Sequence, residues 1–260
     1  GGNTAIGYKA LTTQNAGAHA FNIAIGFESG RFITTGVENT LVGSRSGDSL
    51  TVGNYNVTLG FEALASEDST GHVVAIGHQA LKNQNAGTNS YNVAVGYQAG
   101  ISVTTGINNT LIGGLAGDAL TTGQRNTALG YQALGAEDTG ERNVAIGYQA
   151  LLKLNYDGAA YNVGIGYNTG AEITTGIENI LIGSLAGDAL TTGDYNTAVG
   201  HKSLSGEDTG NRNTALGYKT LEVLNYDGNA ENTAVGYIAG ASMTTGLRNT
   251  LVGAFAGDSF

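Results

Sequence analysis

Three residue types are missing from this chain of 260 residues: cysteine, proline and tryptophan. Without cysteine, a disulfide framework and a thiolate metal site are both excluded. The absence of proline fits a chain whose backbone N–H groups are nearly all needed in a hydrogen-bonded ladder, because proline cannot donate to one. Basic charge is also scarce, since 11 Lys and Arg stand against 21 Asp and Glu for a net charge of −10. This balance argues against nucleic-acid binding and against docking on anionic lipid.

No signal peptide, transmembrane segment or lipid anchor can be recognised in the sequence. The chain begins at a repeat boundary and stops part-way through a repeat. We therefore expect a segment of a longer protein, or a protomer of something continuous, with no membrane insertion in this segment.

What the chain does have is a repeat. The motif Asn-Thr-Ala-Ile-Gly of residues 3–7 occurs fifteen times with small variations, beginning at 3, 22, 39, 56, 73, 92, 109, 126, 143, 162, 179, 196, 213, 232 and 249. The spacings of 19, 17, 17 and 17 residues recur, so the unit is 70 residues made of four coils. We interpret residues 1–260 as a single solenoid with superrepeats 3–72, 73–142, 143–212 and an incomplete 213–260.

Each coil can be numbered from the first residue of its motif, which is position 0. Positions +1 and +3 are aliphatic or threonine in every coil, and position +2 is mostly Ala. Such a run closed by Gly predicts a short buried strand, while the density of Gly and β-branched residues excludes helix. We expect one strong strand, a Gly corner and a second, weaker strand in each coil. The predicted fold is all-β: a repetitive parallel β-roll or β-helix solenoid of about 15 coils of 17 or 19 residues.

Positions 0 and +4 predict two structural columns. Asn can bond the backbone of its neighbours, so the position 0 residues predict a ladder inside the stack. Its members are Asn3, Asn22, Asn39, Asn56, Asn92, Asn109, Asn126, Asn143, Asn162, Asn179, Asn196, Asn213, Asn232 and Asn249, with Val73 as the exception. Position +4 is always Gly, which indicates a corner that needs positive φ or a close approach. These corners are Gly7, Gly26, Gly43, Gly60, Gly77, Gly96, Gly113, Gly130, Gly147, Gly166, Gly183, Gly200, Gly217, Gly236 and Gly253.

Two further positions predict a narrow interior. Position +7 is Ala, Ser or Thr in every coil, so it should point inward. Position +8 alternates between Leu and Gly, and where the third coil of a unit has Gly there, its position +2 is Leu. This pattern predicts that volume is compensated within one core layer.

The strand faces predict an oligomer. Positions +1 and +3 share one face and +2 lies on the other, so both faces of the strand are apolar. One face lines the coil interior, and nothing else in this chain can cover the second. We therefore expect self-association into a homotrimer around a common axis.

Residues 143–150, Asn-Val-Ala-Ile-Gly-Tyr-Gln-Ala, carry a family resemblance. They resemble the head repeats of YadA-like trimeric autotransporter adhesins and related 17-residue repeats of phage tail fibres and bacterial surface fibres, although autotransporter heads use shorter coils. The resemblance covers essentially the whole chain. It implies a left-handed parallel β-roll, three chains in each fibre, an extracellular location and attachment at a surface.

From these features we predict a structural or adhesive extracellular fibre segment, with a surface glycan or protein as receptor. One alternative is a self-assembling extracellular matrix filament. Another is a glycan-degrading tail-fibre enzyme, which would need paired carboxylates in a groove. No His, Ser or carboxylate recurs at a spacing typical of a catalytic site, so we expect no enzyme, no catalytic residue and no cofactor.

Recurring carboxylates are the weak candidates for calcium, which binds six to eight oxygens. Asp118 recurs in the third coil of each unit, and the pair Glu137 and Asp138 recurs in the fourth. The alternative interpretation is a solvated turn. Tyr and Phe recur at +5 and predict aromatic ladders, in which His78 and His201 replace a ring. Such ladders would either pack across coils or stack on sugars.

Overall fold

The computed structural model describes residues 1–17 and 19–258, so the last two residues of the predicted 213–260 repeat lie outside it. The described residues form fifteen strands of three residues and no helix. All strand pairs are parallel. The prediction of an all-β parallel solenoid is confirmed.

The chain divides into two compact units, residues 1–126 and 127–260. The first unit contains the strands β1 (Thr4–Ile6), β2 (Ile23–Ile25), β3 (Thr40–Val42), β4 (Val57–Leu59), β5 (Val74–Ile76), β6 (Val93–Val95) and β7 (Thr110–Ile112). The second contains β8 (Thr127–Leu129), β9 (Val144–Ile146), β10 (Val163–Ile165), β11 (Ile180–Ile182), β12 (Thr197–Val199), β13 (Thr214–Leu216), β14 (Thr233–Val235) and β15 (Thr250–Val252).

Within each unit, every strand pairs with the next strand along the chain and equal positions lie side by side. Val144 of β9, for example, lies beside Val163 of β10, and Ile146 lies beside Ile165. One coil therefore advances the stack by one strand spacing, about 4.8 Å. The repeat fixes this register, because a slip by one residue would turn position +2 outward.

The three residues of each strand alternate between the interior and the surface. Position +2 points inward and is fully buried in residues such as Ala145 and Leu181. Positions +1 and +3 point outward, and in β11 Ile180 and Ile182 are 43% and 36% exposed. The alternation is the ordinary period of two in a strand.

The core is built from columns that run along each unit. Positions +2, +7 and +8 supply buried Ala, Ser, Thr and Leu, as the sequence predicts. Leu181 occupies the space above two glycines, because a Cβ at Gly170 or at Gly187 would lie only 2.8–2.9 Å from its methyl groups. The predicted volume compensation is thus confirmed.

The predicted second strand is wrong. Outside the fifteen strands, the described residues contain only two isolated bridges, Glu141 with Ala159 and Asn211 with Asn229. The far side of each coil consists of turns, yet it still supplies a core column. Position +11 is buried in Ile33, Leu50 and Leu190, among others.

Non-glycine residues with positive φ recur in every coil at position +6, and in nearly every coil at −1. Tyr161, Gln149 and Leu151 have φ values of 54°, 52° and 50°. An isolated left-handed residue costs roughly 1–2 kcal/mol. Backbone hydrogen bonds between coils offset this cost, as where the Gln149 N–H donates to the Tyr131 carbonyl at 2.9 Å.

Candidate functional site

The largest surface feature of each unit is its outer strand face, which we define as positions −1, +1, +3 and +5 of successive coils. Its two central rows, +1 and +3, contain no charged residue in any coil. Ile23, Leu59 and Leu129 are among the side chains exposed there. Soluble monomers rarely expose apolar patches of several hundred Å², so a face of this kind marks an interaction site.

Aromatic stacks border this face on the +5 side. In the second unit Tyr131, Tyr148 and Tyr167 stack with centroid distances of 5.6 and 5.4 Å and interplanar angles of 19° and 13°. His78 stacks on Phe61 and Tyr97, and His201 stacks on Tyr218. The prediction that these histidines belong to the aromatic ladders is confirmed. The stacks remain exposed, with Tyr148 at 45%.

The −1 side mixes aromatic and charged residues. Tyr55, His72 and Tyr91 stack in the first unit at 5.1 Å. In the second unit Arg and Glu residues alternate with two tyrosines in this row. The Arg212 and Arg248 guanidinium groups lie 3.5 and 3.1 Å from the Glu231 carboxylate.

The position 0 asparagines form a hydrogen-bonded ladder beside the strands. The Asn196 backbone N–H donates to the Asn179 Oδ1 at 2.9 Å, and the Asn179 Nδ2 donates to the Gly193 carbonyl at 2.8 Å. Most of these side chains are fully buried, whereas Asn3 is exposed. Val73 is buried in the same column, and its N–H donates to the Asn56 Oδ1 at 3.1 Å. Asn thus bonds an N–H and a carbonyl of the next coil with one amide.

The +4 glycines form a second column with φ between 128° and 145°. A Cβ at Gly147 would collide with the backbone carbonyl of Gly166 in the next coil. At Gly253, in the last coil, no atom lies within 4 Å of such a Cβ. The column therefore depends on close backbone approach as well as on φ.

The interpretation of the Glu-Asp pairs as solvated turns is wrong for the glutamates. Glu67, Glu137 and Glu207 are fully buried, because position +11 places them in the same core column as Leu and Ile. Their signal in the sequence was this shared position, which periodicity in the strands does not reveal.

Each buried carboxylate holds two coils together. The Glu137 Oε1 accepts from the Gly140 N–H at 2.7 Å, and its Oε2 accepts from the Tyr156 N–H at 3.3 Å in the following 19-residue coil. Glu207 repeats this arrangement with Gly210 and Tyr226. Burial raises the pKa of the Glu137 and Glu207 carboxyls, and the backbone N–H bonds only partly oppose it.

The metal candidates are not gathered into a ligand set. Among the described residues, no group of three or more His, Asp or Glu side chains is placed to hold a metal ion. Glu137 uses both oxygens on backbone N–H groups, as described above. Burial raises the pKa of the Asp118 carboxyl, which is half-buried. Asp138 lines an open groove of about 500 Å³ with Tyr156, Asp157 and others.

Within residues 1–17 and 19–258, no helix is long and apolar enough to cross a membrane. Searches with this chain match no family model, no curated protein and no solved structure.

Proposed function

We propose that this chain is a structural or adhesive segment of an extracellular homotrimeric fibre. The observation that carries this proposal is the uncharged, exposed pair of rows at +1 and +3 of the outer strand face. Three copies arranged around a common axis would each cover this face of a neighbour, which a single chain cannot do for itself.

The size of the face supports this proposal. Eight coils of the second unit extend about 38 Å along the stack at the usual strand spacing, and positions −1 to +5 extend roughly 20 Å across it. The footprint is then on the order of 800 Å², which matches the area each partner contributes to a stable interface. The absence of charge in the central rows fits the core of such an interface.

Thiol labelling tests the covered face directly, because the natural chain has no cysteine. Ile180→Cys places a thiol on the outer face, and Thr192→Cys places one on the exposed far side of a neighbouring coil. We expect the thiol at 192 to react with a maleimide at least tenfold faster than the thiol at 180, and denaturant to equalise the rates. Equal rates in the native protein would contradict the proposal.

The aromatic stacks support a second candidate function, which is direct adhesion to a surface glycan. Rings such as those of Tyr148 and Tyr167 are half-exposed and nearly parallel, and aromatic faces of this kind suit stacking on apolar faces of sugars. Replacing both with Leu should abolish retention on a glycan that the native protein binds, while the thiol-labelling pattern stays unchanged. Unchanged retention would remove this candidate.

A further inference from the structure

The −1 row of the second unit contains a symmetric sequence of five residues in consecutive coils: Arg142, Tyr161, Glu178, Tyr195 and Arg212. The Arg142 guanidinium lies 5.4 Å from the centre of the Tyr161 ring, and the Arg212 guanidinium lies 6.0 Å from that of Tyr195. Each tyrosine therefore has one face towards an arginine and its other face towards the coil of Glu178.

The space between the two tyrosines is open. A groove of about 450 Å³ lies here and is lined by Tyr161, Glu178 and Ile180. The two rings are two coils apart, or roughly 10 Å at the usual strand spacing. A cation is attracted to an aromatic face within about 6 Å of its centre, so a cation midway between the rings would contact both.

The charge inside this groove is negative. Glu178 is exposed, and in the described part of the chain no ion pair or hydrogen bond engages its carboxylate. Tyr161 and Tyr195 are 50% and 45% exposed, and Ile180 adds an apolar floor. Two aromatic walls, one carboxylate and an apolar floor suit a compact organic cation that carries its charge on methyl groups. The flanking arginines disfavour a long basic segment, since like charges repel.

We propose that Tyr161, Glu178 and Tyr195 form a binding slot for a quaternary ammonium group, of the trimethylammonium kind found in choline-type headgroups. The slot requires that the −1 row borders the covered strand face and is not itself covered. The first unit repeats the arrangement at Glu38, which lies between Phe21 and Tyr55 in the same row.

Tetramethylammonium chloride is the probe, observed through its methyl proton resonance during titration of the intact protein. We expect a saturable shift to lower frequency, because methyl groups held over aromatic faces are shielded by the ring current. Choline should compete with it. The neutral isostere of choline, 3,3-dimethyl-1-butanol, should not compete, since it keeps the shape without the charge.

Glu38→Gln combined with Glu178→Gln should weaken binding about fivefold or more, as expected for loss of a carboxylate partner. The matched control is Glu172→Gln combined with Glu231→Gln, which removes two exposed carboxylates, one of them from the same row but between arginines. This control should bind like the native protein.

Tyr161→Leu combined with Tyr195→Leu should remove most of the ring-current shift while choline-independent properties, such as the melting temperature, change little. No saturable shift in the native protein, equal competition by the neutral isostere, or equal weakening by the control would each overturn the proposal. Thiol labelling at positions 180 and 192 judges the trimeric fibre separately, so the two failures can be distinguished.

Discussion

At the scale of single residues, the stack depends on two columns in which each coil is locked to the next. The position 0 asparagine is polar and yet fully buried, because its amide both donates and accepts within the stack. A buried polar group is tolerated only when its hydrogen bonds are satisfied. The +4 glycine has the complementary role, since it leaves room for a backbone carbonyl that any side chain would strike.

Asn179→Ala should lower the free energy of unfolding by about 3–5 kcal/mol. The change leaves the Gly193 carbonyl and the Asn196 N–H buried without a partner, and each such group costs roughly 1–3 kcal/mol. The control is Asn3→Ala in the exposed first coil, where water can replace the lost bond, so its effect should stay below about 1 kcal/mol. Chemical denaturation measures both, and equal costs would contradict a buried ladder.

Gly147→Ala should destabilise the protein by about 3 kcal/mol or more. The substitution adds φ strain of roughly 1–2 kcal/mol and a collision with the Gly166 carbonyl. Gly253→Ala introduces the same φ strain with open space around its Cβ, so it should cost only about 1–2 kcal/mol. Melting curves of the two variants separate strain from collision, and indistinguishable curves would show that close approach is unimportant.

At the scale of the coil, the strand and the far side differ in how well sequence predicts them. Positions +1 to +4 follow one another directly, so alternation and the closing Gly predict strand, faces and corner. Position +11 lies among turn residues and has no neighbour with the same environment, so burial of Glu137 and Leu190 could not be predicted from local periodicity. The left-handed conformations of residues such as Tyr161 were also missed, because bonds between coils impose them and local preference does not.

The buried glutamates predict a pH dependence. Their pKa values are raised in the folded protein, so folded molecules bind more protons than unfolded ones between the ordinary glutamate pKa and the raised value. Stability contributed by these groups therefore falls as pH rises through this window. Glu137→Gln combined with Glu207→Gln should flatten that part of the curve of unfolding free energy against pH.

Other carboxyls titrate in the same range and must be separated from this effect. Burial also raises the pKa of Asp48, Asp118 and Asp188, whereas a hydrogen bond from Lys82 lowers that of Glu62. These groups are present in both the native protein and the double variant, so the difference between the two curves isolates the glutamates. Parallel curves would show that burial of Glu137 and Glu207 does not perturb their titration.

At the scale of the whole molecule, the central claim is that copies of the chain cover one another's outer strand faces. A charge placed in the uncharged central rows should prevent this, because a buried unpaired carboxylate is costly. Ile165→Glu in β10 should therefore yield monomers, while Thr192→Glu on the exposed far side should leave the assembly unchanged. Sedimentation velocity distinguishes the two, and intact assembly of the Ile165 variant would move the interface elsewhere.

The most direct test is the absolute mass of the native protein in solution, measured by light scattering behind a sizing column. The account predicts three times the chain mass of 26.4 kDa, independent of concentration. A monomer of 26.4 kDa across the same concentrations would contradict it, because the outer strand face would then be open to solvent. A mass that grows steadily with concentration would also contradict it, in favour of an end-stacking filament.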